Sequence, residues 1–240
     1  MTGLAQSSSD TDEAIRLRDV IKVYRDGDVE TIALRGVDLS IKRGEFVAVM
    51  GRSGSGKTTL LNLLAGADRP TAGQVMIDGT ALDRADEGRR QKLRGRSVGI
   101  VFQTQNLVPF LTLAENVQLV DSLATGGTSG ATEDELLARV GLRDRAGHRP
   151  DALSGGEQQR AALACVLAAN PAVLLADEIT GELDSVSAAA LMDLVRAAHR
   201  ERGMTVVLVT HDPAVAQSAQ RIVRLADGRI VDDRLTDTAA

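Results

Sequence analysis

Residues 51–58 read Gly51-Arg52-Ser53-Gly54-Ser55-Gly56-Lys57-Thr58 and meet the pattern G-x-x-x-x-G-K-[ST] in full. Glycines at this density let successive backbone N–H groups turn toward one point and form a nest for an anion. A helix opening at Lys57 would add the positive end of its dipole. In such a loop Lys57 reaches the β- and γ-phosphates of a nucleoside triphosphate, and the Thr58 hydroxyl coordinates Mg²⁺. Gly51, Ser53, Gly54, Ser55, Gly56, Lys57, Thr58 and the following Thr59 are therefore the expected nucleotide contacts. A chance Gly/Ser loop is the bland alternative, but the motif falls between an apolar run and a helical one, as its mechanics require. Alone, the loop says only that the chain binds a nucleoside triphosphate, and leaves kinases, GTPases and ATPases open.

The run Ala172–Asp177 is apolar until it ends in a carboxylate, and Glu178 follows at once. Asp177 is placed to hold the shell of a magnesium ion. Glu178 is placed to polarise an attacking water as general base. An ordinary strand end would look the same, and the phosphate loop decides against that reading. A third segment, Leu153-Ser154-Gly155-Gly156-Glu157-Gln158-Gln159-Arg160, combines a hydroxyl, a Gly-Gly turn and a helix start. Ser154 and Glu157 have the spacing of a capping box. The same capped terminus can present its amides to a phosphate.

Taken together these segments resemble the ABC ATPase family, and the resemblance runs from about Ile15 to Val231. The 153–160 octet is similar to that family's signature motif. Gln103 matches the Q-loop glutamine, Glu182-Leu183-Asp184 the D-loop, His211 the switch histidine, and Tyr24 the aromatic that stacks on adenine. Closer still, Phe102–Pro109 and Ala176–Ser185 resemble the macrolide-export and lipoprotein-releasing branch, except that Ile179 stands where proline is usual and Glu182 where asparagine is usual.

The resemblance implies ATP and Mg²⁺ as cofactors. Glu178, His211, Gln103 and Lys57 would be catalytic, and Thr58, Gln103 and Asp177 would face the metal. It also implies a homodimer in which Ser154, Gly155, Gly156 and Glu157 of one protomer cover the ATP of the other. An integral membrane permease subunit would be the second partner, placing the chain peripherally on the cytoplasmic face of the membrane. A chain that transmits force to a cell-envelope complex without transport is the alternative within the family. An adenylate-type kinase is the alternative outside it, and it leaves the 153–160 octet unexplained.

These groups need elements to position them. Ile15–Tyr24, Thr31–Ile41 and Gln74–Ile77 read as strands, with Gly36 as a break, and suggest an antiparallel sheet. Phe46–Met50, Val98–Phe102, Ala172–Ala176, Val206–Val209 and Ile222–Leu225 are short apolar runs separated by helical stretches. That alternation implies an α/β fold with a parallel sheet. The expectation is a RecA-like P-loop NTPase core, an N-terminal antiparallel β subdomain, and a helical subdomain inserted at about 104–160. Asp83–Arg96 reads as an exposed helix and Ser185–Arg200 as a longer one. A disordered leader over 1–14, a cassette over 15–233 and a flexible tail over 234–240 complete the division. Leu107–Val117 is the candidate groove for a cytoplasmic helix of the permease, with subdomain core as the alternative reading of its Val108-Pro109-Phe110-Leu111 run.

Composition excludes little but points one way. The chain has 240 residues and a net charge of −5, which weighs against a nucleic-acid partner. Its one cysteine, Cys165, lies in an apolar run and reads as a small buried hydrophobe. His148 and His199 lack a motif and read as surface residues. Lys57→Ala is expected to abolish ATP binding and turnover, checked by equilibrium nucleotide binding and phosphate release; wild-type-like turnover would remove Lys57 from its role.

Overall fold

The structure is a computed structural model that describes residues 12–104, 106–127 and 130–236. Among these residues the strands form two sheets. The first is antiparallel, with β1 (Glu13–Asp26), β2 (Val29–Lys42), β4 (Ala72–Ile77) and β5 (Thr80–Ala81) in the order β2-β1-β4-β5. The second contains β3 (Phe46–Met50), β6 (Val98–Val101), β7 (Val173–Asp177), β8 (Thr205–Thr210), β9 (Arg221–Ala226) and β10 (Arg229–Leu235). Its order is β10-β9-β3-β8-β7-β6, parallel throughout except for β10.

Parallel strands covered on both faces read as near-continuous apolar runs, and β8, with Thr205 and Thr210 only at its ends, is buried along its whole length. Successive side chains serve opposite cores. Phe46 and Ala48 point to the layer containing α5 (Gly155–Ala168) and α6 (Ser185–Arg202), while Val47 and Val49 meet the antiparallel sheet and α1 (Lys57–Leu64).

Between β6 and β7 lies the helical block, with α3 (Leu113–Thr125), α4 (Glu133–Arg139), two short 3-10 turns (Arg143–Arg145 and Pro150–Ala152) and α5. Each of the three α-helices opens on a reciprocal cap: Thr112 with Glu115, Thr132 with Glu135, Ser154 with Glu157.

Several expectations are corrected. The helix α2 (Glu87–Arg96) starts after Asp86, whose carboxylate accepts from Arg89 N, because Asp83 instead accepts from Val75 N and stays in the loop. Gly36 does not break β2; it takes φ +73° and lets the strand pass Asp19, whose Oδ1 would lie 2.8 Å from an added Cβ. Glu13 and Ala14, assigned to the leader, belong to β1, and the rest of that leader up to residue 11 lies outside the described residues. Arg234 and Leu235, assigned to the tail, pair with Ile222 and Arg221 in β10, while 237–240 lie outside the description.

His199 is partly buried, its Nδ1 2.8 Å from Met204 O and its ring beside Phe46, because it ties the end of α6 to β8. His148 is also partly buried, where its carbonyl accepts from Leu113 N. Cys165 is buried as expected, and burial pushes its thiol up to about 12.

Gly99 sets how closely α5 approaches the sheet: a Cβ there would lie 2.3 Å from Val166 Cγ1 and 3.0 Å from Pro171 Cγ. Gly99→Ala is expected to destabilise the chain by about 1–3 kcal/mol through overpacking. Thermal denaturation would show a midpoint lowered by roughly 2–12 °C. An unchanged midpoint would mean that α5 has slack.

Candidate active site

The carboxyl ends of β3, β7 and β8 open onto a cavity of about 1070 Å³. Register brings them level, with Met50 opposite Thr210 and Asp177 opposite Val209. The loop leaving β3 supplies Gly51–Gly54 and Gly56–Thr59 to the wall; Gln103 comes from beyond β6, Asp177 and Glu178 from the end of β7, and His211 from the end of β8.

The phosphate loop is pressed against its neighbours. Gly56 has φ +104°, and a Cβ on it would come within 2.6 Å of Ala33 O. A Cβ on Gly51 would lie 2.4 Å from Leu225 O. No other residue type fits either position without moving backbone. Ser55 is buried beneath the loop, and among the described residues its Oγ has no hydrogen-bond partner. Lys57 is only 8% exposed, and its Nζ donates to Gly51 O at 2.8 Å and Arg52 O at 3.0 Å. The ammonium thus sits inside the curl of its own loop, at the start of α1.

Opposite stands Glu178. Its φ of +50° is rare for a residue with a side chain and costs about 1–3 kcal/mol. Its amide donates to Val209 O at 2.9 Å, which holds the bend. One carboxylate oxygen, Oε2, is in short contact with His211 Nδ1, and Oε1 lies 4.0 Å from Lys57 Nζ. Asp177, half-buried beside it, has its carboxyl pushed above the ordinary range, first by burial and then by the charge of Glu178, with Lys57 opposing. Two adjacent carboxylates and one lysine in a partly dry cleft are an arrangement that a cation relieves.

Not every expected residue is brought together. Tyr24 does not line the cavity: its hydroxyl donates to Asp68 Oδ2 at 2.9 Å, Lys22 Nζ lies 4.7 Å from its ring centre, and it is linked to the site through a hydrogen bond with Thr59. Ser154–Glu157 also lie outside the cavity. Glu157 is held below the ordinary carboxylate range by the Ser154 amide and then by its hydroxyl, the two halves of the cap. Gln103 Nε2 donates to Glu182 Oε1 at 3.2 Å.

Other residues were missed by sequence reasoning. Gln159 is 7% exposed, and its Nε2 donates to Phe102 O at 3.2 Å and, at short range, to Gln103 O. Asn106 bonds both the amide and the carbonyl of Phe102 at 2.7 Å. Together they pin the Gln103 backbone to α5. Gln159 was visible inside the 153–160 octet, but nothing local announced its partner. Arg224, Asp232 and Arg234 line the cavity from β9 and β10 and carry no motif.

A phosphate loop on a parallel sheet, faced by paired carboxylates and a histidine, defines a P-loop ATPase with an inserted helical block. The chain belongs to the ABC transporter family, whose family model matches residues 34–181. It is 46% identical over 222 residues to a macrolide export ATP-binding/permease protein, MacB, of Syntrophobacter fumaroxidans, covering 91% of this chain and 31% of that protein. The chain therefore spans about a third of the length of that relative. It is 44% identical to the ABC transporter ATP-binding protein MJ0796 of Methanocaldococcus jannaschii, covering 90% of this chain and 94% of that one. A lipoprotein-releasing system ATP-binding protein, LolD 2, of Rhodopirellula baltica is 40% identical, with 91% and 89% covered. A dimeric post-hydrolysis structure of MJ0796 bound to ADP and Pi superposes with a TM-score of 0.84 at 41% identity, covering 92% of this chain and 98% of that one. The chain is thus an ATP-binding ABC ATPase.

The raised Asp177 carboxyl has a sign that can be tested. A carboxyl raised in the folded state favours folding where it is protonated, and that contribution is lost as pH rises through its folded value. Asp177→Asn is expected to raise the thermal midpoint of the nucleotide-free chain at neutral pH. The difference should fade below about pH 4, while hydrolysis is lost. A lower midpoint at neutral pH would show that Asp177 stabilises the fold.

Proposed function

We propose that the chain is the ATP-hydrolysing subunit of an ABC transporter complex, energising export or membrane extraction of a substrate through a separate integral membrane permease. It works as a homodimer with ATP sandwiched between protomers, at the cytoplasmic face of the membrane, and has no nucleic-acid partner. The observation that carries the dimer is the separation of two phosphate-binding devices. Lys57, Asp177, Glu178 and His211 share one cavity, while the capped N-terminus of α5 at Ser154 stands outside it. A second copy brings that terminus to the uncovered side of the γ-phosphate. Support for the permease comes from the relatives named for macrolide export and lipoprotein release. Among the described residues no helix is long and apolar enough to cross a membrane. Phe110, 70% exposed, lies within the Leu107–Val117 stretch that would receive a permease helix, and Phe102, 43% exposed, precedes it.

A magnesium ion fits the donors present, because Thr58, Asp177 and Gln103 all offer oxygen and the half-buried Asp177 carboxyl needs a counter-charge. The buried Ser55 Oγ is a further unsatisfied polar atom in the same loop. Thr58, Asp177 and Gln103 would hold the ion, whose chemistry there would be to neutralise phosphate charge. The chain's own residues do the rest. Lys57 exchanges its two loop carbonyls for phosphate oxygens, at the end of the dipole of α1. Since His211 engages Oε2 of Glu178, Oε1 is the oxygen left to take the proton of the attacking water. Tyr24, next to Thr59, stacks on the adenine. Ser154, Gly155, Gly156 and Glu157 of the partner protomer close the γ-phosphate side.

Glu178→Gln is expected to bind ATP, to slow hydrolysis by roughly 10²–10⁴-fold, and to elute as a dimer with Mg-ATP in size-exclusion chromatography. A monomer at saturating Mg-ATP would overturn the composite site.

A further inference from the structure

Gln103 stands where two cavities meet. It lines the nucleotide cavity and also a neighbouring one of about 560 Å³, which Glu182 lines as well. Its main chain is fixed, because Gln159 and Asn106 hold the Phe102–Gln103 backbone against α5. Its side chain lies against the turn that follows Glu178. There Gly181 N donates to Glu178 O at 2.9 Å, and an added Cβ on Gly181 would sit 3.5 Å from Gln103 Nε2. Gln103 is itself exposed, and rotation of its terminal amide exchanges a donor edge for an acceptor edge.

Glu182 removes that freedom by chemistry. An ionised carboxylate only accepts hydrogen bonds. The amide must therefore turn its NH₂ toward Glu182, as the 3.2 Å contact from Nε2 to Oε1 records. The side-chain oxygen Oε1 of Gln103 is then directed away from Glu182, and among the described residues it accepts no hydrogen bond. A neutral amide at position 182 would not discriminate, since it can donate or accept. Asparagine, usual here in the branch this chain resembles, has that ambiguity and a shorter reach.

We propose that Glu182 is a positioning residue that sets the orientation of the Gln103 amide, so that the carbonyl oxygen and not the nitrogen faces the nucleotide-bound cation. The proposal rests on the assignment of Gln103 to the cation made above. Glu182 touches neither nucleotide nor ion; it acts through Gln103.

The test is a double-mutant cycle read by Mn²⁺ binding instead of turnover. The wild type, Glu182→Gln, Gln103→Ala and the double variant are titrated with Mn²⁺ by electron paramagnetic resonance, with a non-hydrolysable ATP analogue present. Glu182→Gln is expected to weaken Mn²⁺ binding by roughly two-fold, the cost of leaving the amide oxygen toward the cation in about half of the molecules, with nucleotide affinity measured without divalent cation unchanged. Gln103→Ala should weaken it at least as much, and the double variant should match Gln103→Ala alone. In the nucleotide-free protein, the side-chain NH₂ resonances of Gln103, identified by their loss in Gln103→Ala, should shift in Glu182→Gln.

Wild-type Mn²⁺ affinity in Glu182→Gln beside a weakened Gln103→Ala would overturn the proposal and leave the cation assignment standing. Additive losses would also overturn it, since Glu182 would then act by its charge alone. Unchanged affinity in Gln103→Ala would overturn the cation assignment and this proposal with it.

Discussion

Parallel pairing of β3, β8 and β7 is the constraint from which the site follows. Hydrogen-bonded register sets Met50 beside Thr210 and Val209 beside Asp177, so segments far apart in the chain leave the sheet at one edge. A parallel sheet requires both faces to be covered, and the two apolar layers built around Phe46 and Val47 provide that cover. Once the strands are buried in this way, their ends cannot slide. The phosphate loop, the carboxylate pair and the histidine inherit their spacing from the ladder and need no scaffold of their own.

Electrostatics then decides what that edge is for. Lys57 and Glu178 lie 4.0 Å apart, but the lysine's closest partners are the carbonyls of its own loop, at 2.8 and 3.0 Å. These neutral carbonyls are weaker acceptors than a phosphate, so the ammonium is held where an anion can compete for it. Burial of Asp177 works in the same direction, because a half-buried carboxylate is held at a disadvantage that a bound cation removes. The strained φ of Glu178 belongs with these features, since it turns the side chain off the strand and toward His211.

How much of this could be read beforehand depends on how local each requirement is. The phosphate loop and its helix are specified within eight residues, and Ser154 with Glu157 within four, so both were legible. Strands with continuous apolar runs were legible for the same reason. β10 was not, because it is an exposed edge strand with polar side chains that earns its place by pairing with β9 and by the Arg221–Asp233 contacts. The start of α2 was misplaced because Asp83, a reasonable cap by type, is drawn to Val75 across a turn. The Gln159 clamp on the Gln103 backbone joins residues 56 apart, and no local pattern announces such a bond.

That clamp constrains motion as well as position. Gln159 is a buried amide on the first turns of α5, and its two acceptors lie in the segment that carries Gln103. A buried amide that loses its acceptors is penalised by about 1–3 kcal/mol. Tilting α5 while Gln103 stays behind therefore runs uphill, whereas moving both together does not. The helix α5 and Gln103, which lines the cavity at the strand ends, are thus coupled as one lever, with its pin at residue 159.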